Sequence, residues 1–218
     1  SDEVQIDPAG RVHTFCHAVR GKWHVMGVVL SAGGSLQWYR DEFCQTEVEQ
    51  AARDGVDPYE KITAVAAQAP AGSEGLFFLP YLTGERTPHA DPYARGAWIG
   101  LTRRHGRPHL VRSVIEGATY AMRDSLEIIK GLDIPVKEIR VSGGGSQSPA
   151  AVQLIADVFG LPARVPHTHE TSGLGAAIDA AVGLDLHPDF ATAVAAMTRS
   201  AETRDPDRAA HAVYEDLY

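Results

Sequence analysis

Cysteine and long apolar runs are both scarce in this sequence, which restricts where the protein can work. It has two cysteines, Cys16 and Cys44, and no apolar run that approaches the roughly 20 residues of a membrane span. Two cysteines make no disulfide framework, so we expect both thiols to be reduced and partly buried. We also expect no signal peptide, and therefore a cytoplasmic protein without a membrane partner.

Positive charge is also in short supply. The 20 Lys and Arg residues stand against 28 Asp and Glu residues, which gives a formal net charge of −8 at pH 7. Because an acidic surface repels phosphate backbones, we expect no nucleic-acid partner. The net charge does not exclude small anionic ligands, since backbone N–H groups can hold them in a pocket.

The order of apolar and β-branched stretches predicts an α/β fold. The predicted strands cover residues 11–19, 23–30, 75–82, 96–101, 138–143 and 163–166. The predicted helices cover residues 31–44, 57–69, 108–132, 148–160, the end of 167–184, 188–199 and 205–217. Ser31 lies near the start of the first helix and Asp57 is the predicted N-cap of the second. The charged stretch 198–208 is interpreted as a solvated connection.

Two segments carry charged or metal-ligating residue types without a clear site. The loop TGERTPHADPYARG (83–96) is long for a passive connection, and such loops are often functional. Its residues Glu85, Arg86, Asp91 and Arg95 are candidates for catalysis, but we favour internal ion pairs that pin the loop. The H-x-H-E stretch at 167–170 has no further ligand cluster beside it, so we predict no metal site.

Three consecutive glycines, Gly143, Gly144 and Gly145, lie between a predicted strand and a predicted helix. The helix N-terminus at such a turn offers unpaired N–H groups and a partial positive charge, and glycine removes the Cβ atoms that would keep a ligand away. This combination suits a nucleotide. The turn is not a Walker A loop, because no Lys-Ser/Thr follows, and the dinucleotide spacing fails at Gln147. The alternative is a plain strand–helix turn with spare glycines.

Two other helix starts repeat the pattern of small residues. In SAGGSLQW (31–38), Gln37 lies one helical turn after Gly33 on the same face, where its amide could hydrogen-bond a ligand. An ordinary surface glutamine is the alternative. In TSGLGAA (171–177), the small residues are interpreted as a surface for close helix packing.

Several long stretches together resemble the FGGY family of carbohydrate kinases. GAWIGLTRRHGRPHLVRSVIEG (96–117) resembles the family's second signature, with Gly96, Trp98, Gly100 and Glu116 in the family's spacing. LPYLTGERTPHADPYARG resembles the loop before that signature. VSGGGSQSP and ETSGLGAA resemble the family's two C-terminal glycine elements. The matches follow the family's order from about residue 11 to the C-terminal region.

This resemblance implies an actin-like ATPase (ribonuclease H-like) domain, with a mixed sheet, helices on both faces and a missing first strand. Residues 1–218 would be the C-terminal, second domain of a two-domain kinase, and the N-terminal sugar-binding domain would lie outside this chain. The catalytic Asp, which takes the proton from the sugar hydroxyl, would lie upstream as well. We therefore predict no catalytic residue here and no activity for these residues alone. The family is often dimeric, so a homodimer is allowed.

The resemblance also implies ATP and Mg²⁺ as cofactors. The positions that match the family's nucleotide site are Gly33, Gln37, Gly143, Gly144, Gly145 and Ser148, of which Gly143 and Gly145 flank the contact at Gly144. Gly144 matches the glycine that lies against the nucleotide. Ser148 matches the position beside the adenine and departs from the Asn that relatives often have, and a hydroxyl reaches less far than an amide.

The implied activity of the intact protein is ATP-dependent phosphorylation of a sugar. Overall likeness favours D-xylulose, giving D-xylulose 5-phosphate, while ribulose, gluconate and glycerol are alternatives. A non-catalytic actin-like module, whose nucleotide state controls a partner, is a further alternative. The loop 83–96 and the helix after it favour the kinase, and a dehydrogenase is disfavoured by the missing dinucleotide spacing.

Overall fold

A computed structural model describes the whole chain, Ser1–Tyr218. The strands are β1 (His13–Cys16), β2 (Trp23–Met26), β3 (Phe77–Leu79), β4 (Ala97–Ile99), β5 (Ile139–Arg140), β6 (Ala163–Pro166) and β7 (Ser200–Arg204). The helices are α1 (Ala32–Phe43), α2 (Gln45–Asp54), α3 (Pro58–Ala66), α4 (Arg107–Lys130), α5 (Pro149–Phe159), α6 (Thr171–Gly183), α7 (Phe190–Met197) and α8 (Arg208–Leu217).

The strands form three small sheets. The first two are antiparallel pairs, β1 with β2 and β3 with β4, and Phe78 faces Trp98 across the second. In the third sheet β5 runs parallel to β6, and β6 runs antiparallel to β7. The predicted α/β class with a mixed sheet is therefore confirmed, although the strands are shorter than the apolar runs that predicted them.

Two elements differ from the sequence interpretation. Residues 198–208 are not a solvated connection, because β7 pairs with β6 with Arg164 opposite Thr203. The side chains of β7 are polar and mostly exposed, so no apolar alternation marks it as a strand. Helix α2 was also not predicted; it is polar, and one of its two buried residues is Glu47, which accepts from Arg107 Nη2 (2.6 Å).

An aromatic core holds α1, α3, α4 and β3 together. The Trp98 ring lies 4.9 Å from Phe78 and 5.9 Å from Trp38, centroid to centroid, and Trp98 Nε1 donates to Ser113 Oγ (3.1 Å). The fully buried members of this core are Tyr39, Cys44, Ile62, Ala66, Phe78, Val111 and Val114. Burial of such side chains is the main favourable contribution to folding.

A second, smaller core lies between α5 and the third sheet. Its members are short side chains: Val152 and Ala156 on the helix, Ala163 and Val165 on β6. The other side of α5 packs against α8 through Val158 and a third cluster. Helix α4 packs against both α1 and α5, so one long helix positions the two halves of the chain.

The approach of α4 to β3 depends on one glycine. A Cβ atom added to Gly117 would overlap the carbonyl oxygen of Phe78. Any side chain at this position would push the helix away from the strand. Gly117 is therefore explained entirely by packing.

A left-handed turn precedes β3. Four successive residues have positive φ: Gly72 (77°), Ser73 (48°), Glu74 (52°) and Gly75 (83°). For the two non-glycine residues this conformation costs about 1–2 kcal/mol each. Other interactions must therefore stabilise the turn.

The carboxylate of Glu116, on α4, supplies that stabilisation. It is buried, with 2% of its surface exposed. The groups that donate to it are Gly72 N (2.9 Å), Ser73 Oγ (2.6 Å), Arg112 Nε (2.7 Å) and Tyr214 Oη (2.8 Å). Burial raises the pKa of the Tyr214 hydroxyl, which keeps it a donor at neutral pH. The network joins the turn, α4 and α8. None of the helices has the length and apolar character of a membrane span.

Candidate functional site

The glycine turn connects the end of β5 to α5. Gly143 has φ +73°, a left-handed conformation that glycine adopts without penalty. Residues 144–147 form a 3₁₀ turn, and Ser146 closes it, because its N–H (3.1 Å) and its hydroxyl (2.7 Å) both donate to Gly143 O. The backbone conformation therefore explains the first of the three glycines.

The other two glycines have no such explanation. Neither Gly144 nor Gly145 has a positive φ, and both are exposed. A Cβ atom built at either position would meet no atom within 4 Å. Nothing in this chain requires glycine there, so the main chain is bare on the side where a ligand would approach.

Ser148 is the N-cap of α5. Its Oγ accepts from Ala151 N (3.3 Å), and Pro149 occupies the first helical turn, where a missing N–H is tolerated. The hydroxyl proton is not used in the cap. Ser148 therefore offers a ligand one donor, whereas its contact with adenine stays a prediction.

Four side chains that the sequence analysis did not assign to the nucleotide site support the glycine turn. Ser146 Oγ lies 3.2 Å from Nδ1 of His169, and Ser142 Oγ accepts from Thr171 Oγ1 (3.4 Å). These bonds join the turn to the segment that leads into α6. A serine after a glycine run and a histidine in a loop are weak sequence signals of such a contact. Only the parallel pairing of β5 with β6 places them together.

The start of α1 carries the other predicted residues. Gly33 and Gln37 are exposed on one face of the helix, while Ser35 and Tyr39 are buried on the other. A Cβ atom at Gly33 would meet nothing within 4 Å, as at Gly144. No side chain caps this helix: Ser31 is at the N-cap, but its hydroxyl bonds Thr83 Oγ1 (2.8 Å) instead.

The predicted residues thus form two separate groups. No hydrogen bond joins the start of α1 to the glycine turn, and the common support is α4. A cavity of about 510 Å³ lies next to the turn, lined largely by polar residues that include Ser142 and Thr171. None of the six predicted residues lines this cavity, so its volume is not an argument for a nucleotide site.

The interpretation of TSGLGAA as a close-packing surface is wrong for this chain. A Cβ atom at Gly173 or Gly175 would meet no atom within 4 Å. The buried residues of α6 are Ile178 and Ala181, which both lie after this stretch. The small residues therefore lie on an open face.

The expectation that ion pairs pin the loop 83–96 is also wrong. Glu85 accepts from the backbone N–H groups of Leu30 and Arg86, Asp91 accepts from the N–H of Tyr93, and Arg95 donates to backbone carbonyls. These three side chains therefore bond backbone groups and not oppositely charged side chains.

The sequence's metal-ligating residue types form no cluster of three or more in the fold. Both cysteines are free: Cys44 is buried, which raises the pKa of its thiol, whereas Cys16 is exposed. Partial burial, expected for both, therefore describes neither.

Comparisons with known proteins identify the family of this chain. Residues 2–184 match the C-terminal domain of the FGGY family of carbohydrate kinases. A gluconokinase of Bacillus subtilis (strain 168) is 40% identical over 179 residues, which are 81% of this chain and 34% of that protein. A xylulose kinase of Staphylococcus epidermidis is 36% identical over 207 residues, 95% of this chain and 40% of that protein.

Solved structures give the same result. The ligand-bound xylulose kinase from Lactobacillus acidophilus superposes with a TM-score of 0.85 at 31% identity, over 99% of this chain and 42% of that one. The chain therefore spans well under half the length of the relatives it matches. The chain belongs to the FGGY family of carbohydrate kinases, and it corresponds to the C-terminal domain of that family.

Proposed function

We propose that residues 1–218 are the nucleotide-binding, C-terminal domain of a two-domain carbohydrate kinase. In this proposal a further domain, N-terminal to this chain, holds the sugar and the carboxylate that acts as base. The chain binds ATP or ADP and forms one side of the cleft that closes on both substrates. Membership of the family and the match to its C-terminal domain support this division.

The observation that carries the proposal is the unexplained glycine. Gly33, Gly144 and Gly145 are glycines that neither backbone conformation nor packing inside this chain requires. A nucleotide lying against the main chain would require them, because a Cβ atom would then occupy the ligand's space. Gly33 and Gly144 match positions at the family's nucleotide, and Gly145 flanks the Gly144 contact.

Individual residues have distinct parts in this proposal. The start of α5 offers N–H groups and a partial positive charge to an anionic ligand. The free hydroxyl proton of Ser148 donates to the adenine, and the exposed amide of Gln37 hydrogen-bonds the nucleotide from α1. Mg²⁺ would neutralise charge on the phosphates, and this chain would supply few ligands to it, since Mg²⁺ in such sites usually keeps several waters.

The reaction is the in-line transfer of the γ-phosphoryl group to a sugar hydroxyl. The hydroxyl oxygen forms the new bond to phosphorus, the bond to the ADP oxygen breaks, and the base in the other domain takes the hydroxyl proton. This chain contributes the position of the nucleotide and the exclusion of water on closure, which limits wasteful ATP hydrolysis.

We propose D-xylulose as the acceptor, with gluconate as the second candidate. The xylulose kinase relative aligns over 95% of this chain, whereas the gluconokinase is more identical but aligns over 81%. A panel of D-xylulose, ribulose, gluconate and glycerol with the intact protein tests this. The preferred sugar is the one with the highest kcat/KM for sugar-dependent ADP release, and a preference for gluconate would replace xylulose.

Binding of nucleotide is the more basic test. The melting temperature of the intact protein is measured with Mg-ADP, Mg-ATP and NADH in turn. A ligand at about 100 times its Kd adds about 2.7 kcal/mol, which gives a clear rise in Tm. We expect this rise with both adenine nucleotides and none with NADH. No rise with Mg-ADP or Mg-ATP would contradict the proposal.

The intact protein's location and assembly follow the same family expectation. A cytoplasmic enzyme has access to ATP, and we propose that location together with a homodimer. Fractionation of cells and the mass of the purified protein in solution test the two statements separately.

A further inference from the structure

The loop 83–96 is bonded to the short segment that connects β2 to α1. Its Thr87 lies against Val28: Thr87 N donates to Val28 O (3.0 Å), and Thr87 Oγ1 accepts from Val28 N (3.0 Å). Thr87 Oγ1 also donates to Arg11 O (2.7 Å). These bonds attach the loop to the first hairpin.

Two further contacts lie closer to the helix. Glu85 Oε1 accepts from Leu30 N (3.1 Å), and Thr83 Oγ1 pairs with Ser31 Oγ (2.8 Å). Leu30 and Ser31 are the last two residues before α1 begins. The loop therefore fixes the point at which the chain enters the helix that carries Gly33 and Gln37.

The burial of Glu85 is hard to explain by stability alone. Glu85 is 2% exposed, no cation pairs with its carboxylate, and its Oε2 has no hydrogen-bond partner. A buried carboxylate with an unused oxygen is unfavourable compared with a neutral side chain. Thr87 already attaches the loop to the hairpin, so Glu85 is not needed for that attachment.

We propose that Glu85 is a positioning residue for the nucleotide site, acting through the start of α1. Its carboxylate holds the N–H of Leu30, and this bond sets the direction in which α1 leaves β2. Gly33 and Gln37 then present the bare main chain and the amide at the correct place for the nucleotide. This inference rests on the proposed function, because it requires that the start of α1 contacts a nucleotide.

The test is the Kd of the intact protein for Mg-ADP, measured by calorimetry at a temperature where circular dichroism shows every variant folded. Glu85→Ala removes the acceptor, and we expect about tenfold weaker binding, the effect of losing one charge-assisted hydrogen bond. Glu85→Gln keeps an acceptor oxygen for Leu30 N and is expected to bind within about twofold of the wild type.

Arg95→Ala is the matched control, because Arg95 is exposed in the same loop and bonds only backbone carbonyls of that loop. Its Kd is expected to equal that of the wild type. Wild-type affinity in Glu85→Ala would overturn the proposal, and so would a Gln variant as weak as the Ala variant.

A second substitution keeps the test decisive if Glu85→Ala does not fold. Thr83 is exposed, so Thr83→Val removes only its bond to Ser31, and we expect about threefold weaker binding. Thr83 and Glu85 bond adjacent residues before α1, so unchanged affinity in Thr83→Val would show that the loop's hold on this point does not affect the nucleotide, and would overturn the proposal. Failure of the wild type itself to bind Mg-ADP would contradict the proposed function, which is a different result from equal binding by wild type and variants.

Discussion

Glycine serves opposite purposes at two places in this molecule. At the contact of α4 with β3, Gly117 is glycine because the carbonyl of Phe78 leaves no room for a side chain. At the turn after β5, Gly144 and Gly145 are surrounded by open space. The folded chain explains the first glycine but not the second pair, and we propose that a ligand explains that pair. Open space alone does not identify a ligand site, since Gly173 and Gly175 are open as well, and the match to the family's nucleotide position distinguishes Gly144.

The surroundings of the two places differ in the same way. The first lies in an aromatic core with a buried hydrogen-bond network around Glu116. The second lies on a three-stranded sheet with a core of alanine and valine. A dense region with a buried hydrogen-bond network supports a sparse region, and binding sites are commonly built on such supports.

The largest expected effect is the difference in lost stability between a substitution in the first region and one in the second. Glu116→Ala leaves Arg112 and Tyr214 without their buried acceptor and releases the left-handed turn. We expect it to lower the free energy of unfolding by about 4 kcal/mol, measured by urea denaturation. Glu138→Ala in the second region breaks exposed ion pairs with Arg140 and Arg164 and should cost about 0.5 kcal/mol. Equal losses of stability in the two variants would contradict the difference between the two regions.

The next effect compares the glycines directly. Gly117→Ala should destabilise the protein by about 3 kcal/mol, because the helix and strand must move apart. Gly145→Ala, with nothing near its Cβ, should change stability by no more than about 0.5 kcal/mol. Thermal denaturation of both variants checks this. A large loss in Gly145→Ala would show that the turn is constrained within the chain.

A smaller effect concerns affinity. Gln37→Ala should weaken Mg-ADP binding by about fivefold, the effect of one hydrogen bond, with no change in Tm. Gln50→Ala is the control, since Gln50 is an exposed glutamine on α2, away from α1's predicted contact face. If the two variants bind alike in calorimetry, Gln37 is an ordinary surface residue.

The smallest expected effect is absent at neutral pH and appears only at alkaline pH. Burial raises the pKa of Tyr39 to about 12, above the ordinary value of 10.0. The folded state then holds the proton more tightly than the unfolded state, so this stabilisation is complete below pH 10 and is lost as the pH rises towards 12. Tyr39→Phe should move the alkaline unfolding midpoint, followed by circular dichroism, to higher pH.

This pH effect also separates the regions, because residues 138–204 contain no tyrosine. Amide protection, measured by hydrogen exchange and corrected for the base-catalysed intrinsic rate, should therefore decrease first around Tyr39 in α1 as the pH rises. Earlier loss of protection in α5 or β6 would contradict the assignment of alkaline sensitivity to the aromatic core.

The sequence predicted the local features of this fold well. The strand at residues 163–166, the N-cap at Asp57 and the helix after the glycine turn agree with the structure, because each is set by neighbouring residues. It failed where the determinant is distant in the chain. The polar strand β7 forms because it pairs with β6. Helix α2 is held by a bond from Arg107, the first residue of α4, to the buried Glu47.

The candidate site shows the same division. The glycine turn and its helix were predictable from VSGGGSQSP, as was the exposure of Gln37 opposite Tyr39. The bond between Glu85 and Leu30, 55 residues apart, was not, and neither was the support of Ser146 by His169. Charge and turn propensity in a loop do not show which backbone groups it will meet.

The central claim is that the open glycines face a nucleotide, and one comparison tests it most directly. Calorimetric titration of Mg-ADP into the wild type and into Gly144→Val should show measurable binding by the wild type and loss of binding by the variant. The Tm of the two proteins without nucleotide should agree closely, because no atom lies within 4 Å of a Cβ at position 144. Equal affinities would contradict the claim and leave residues 143–145 as a plain turn.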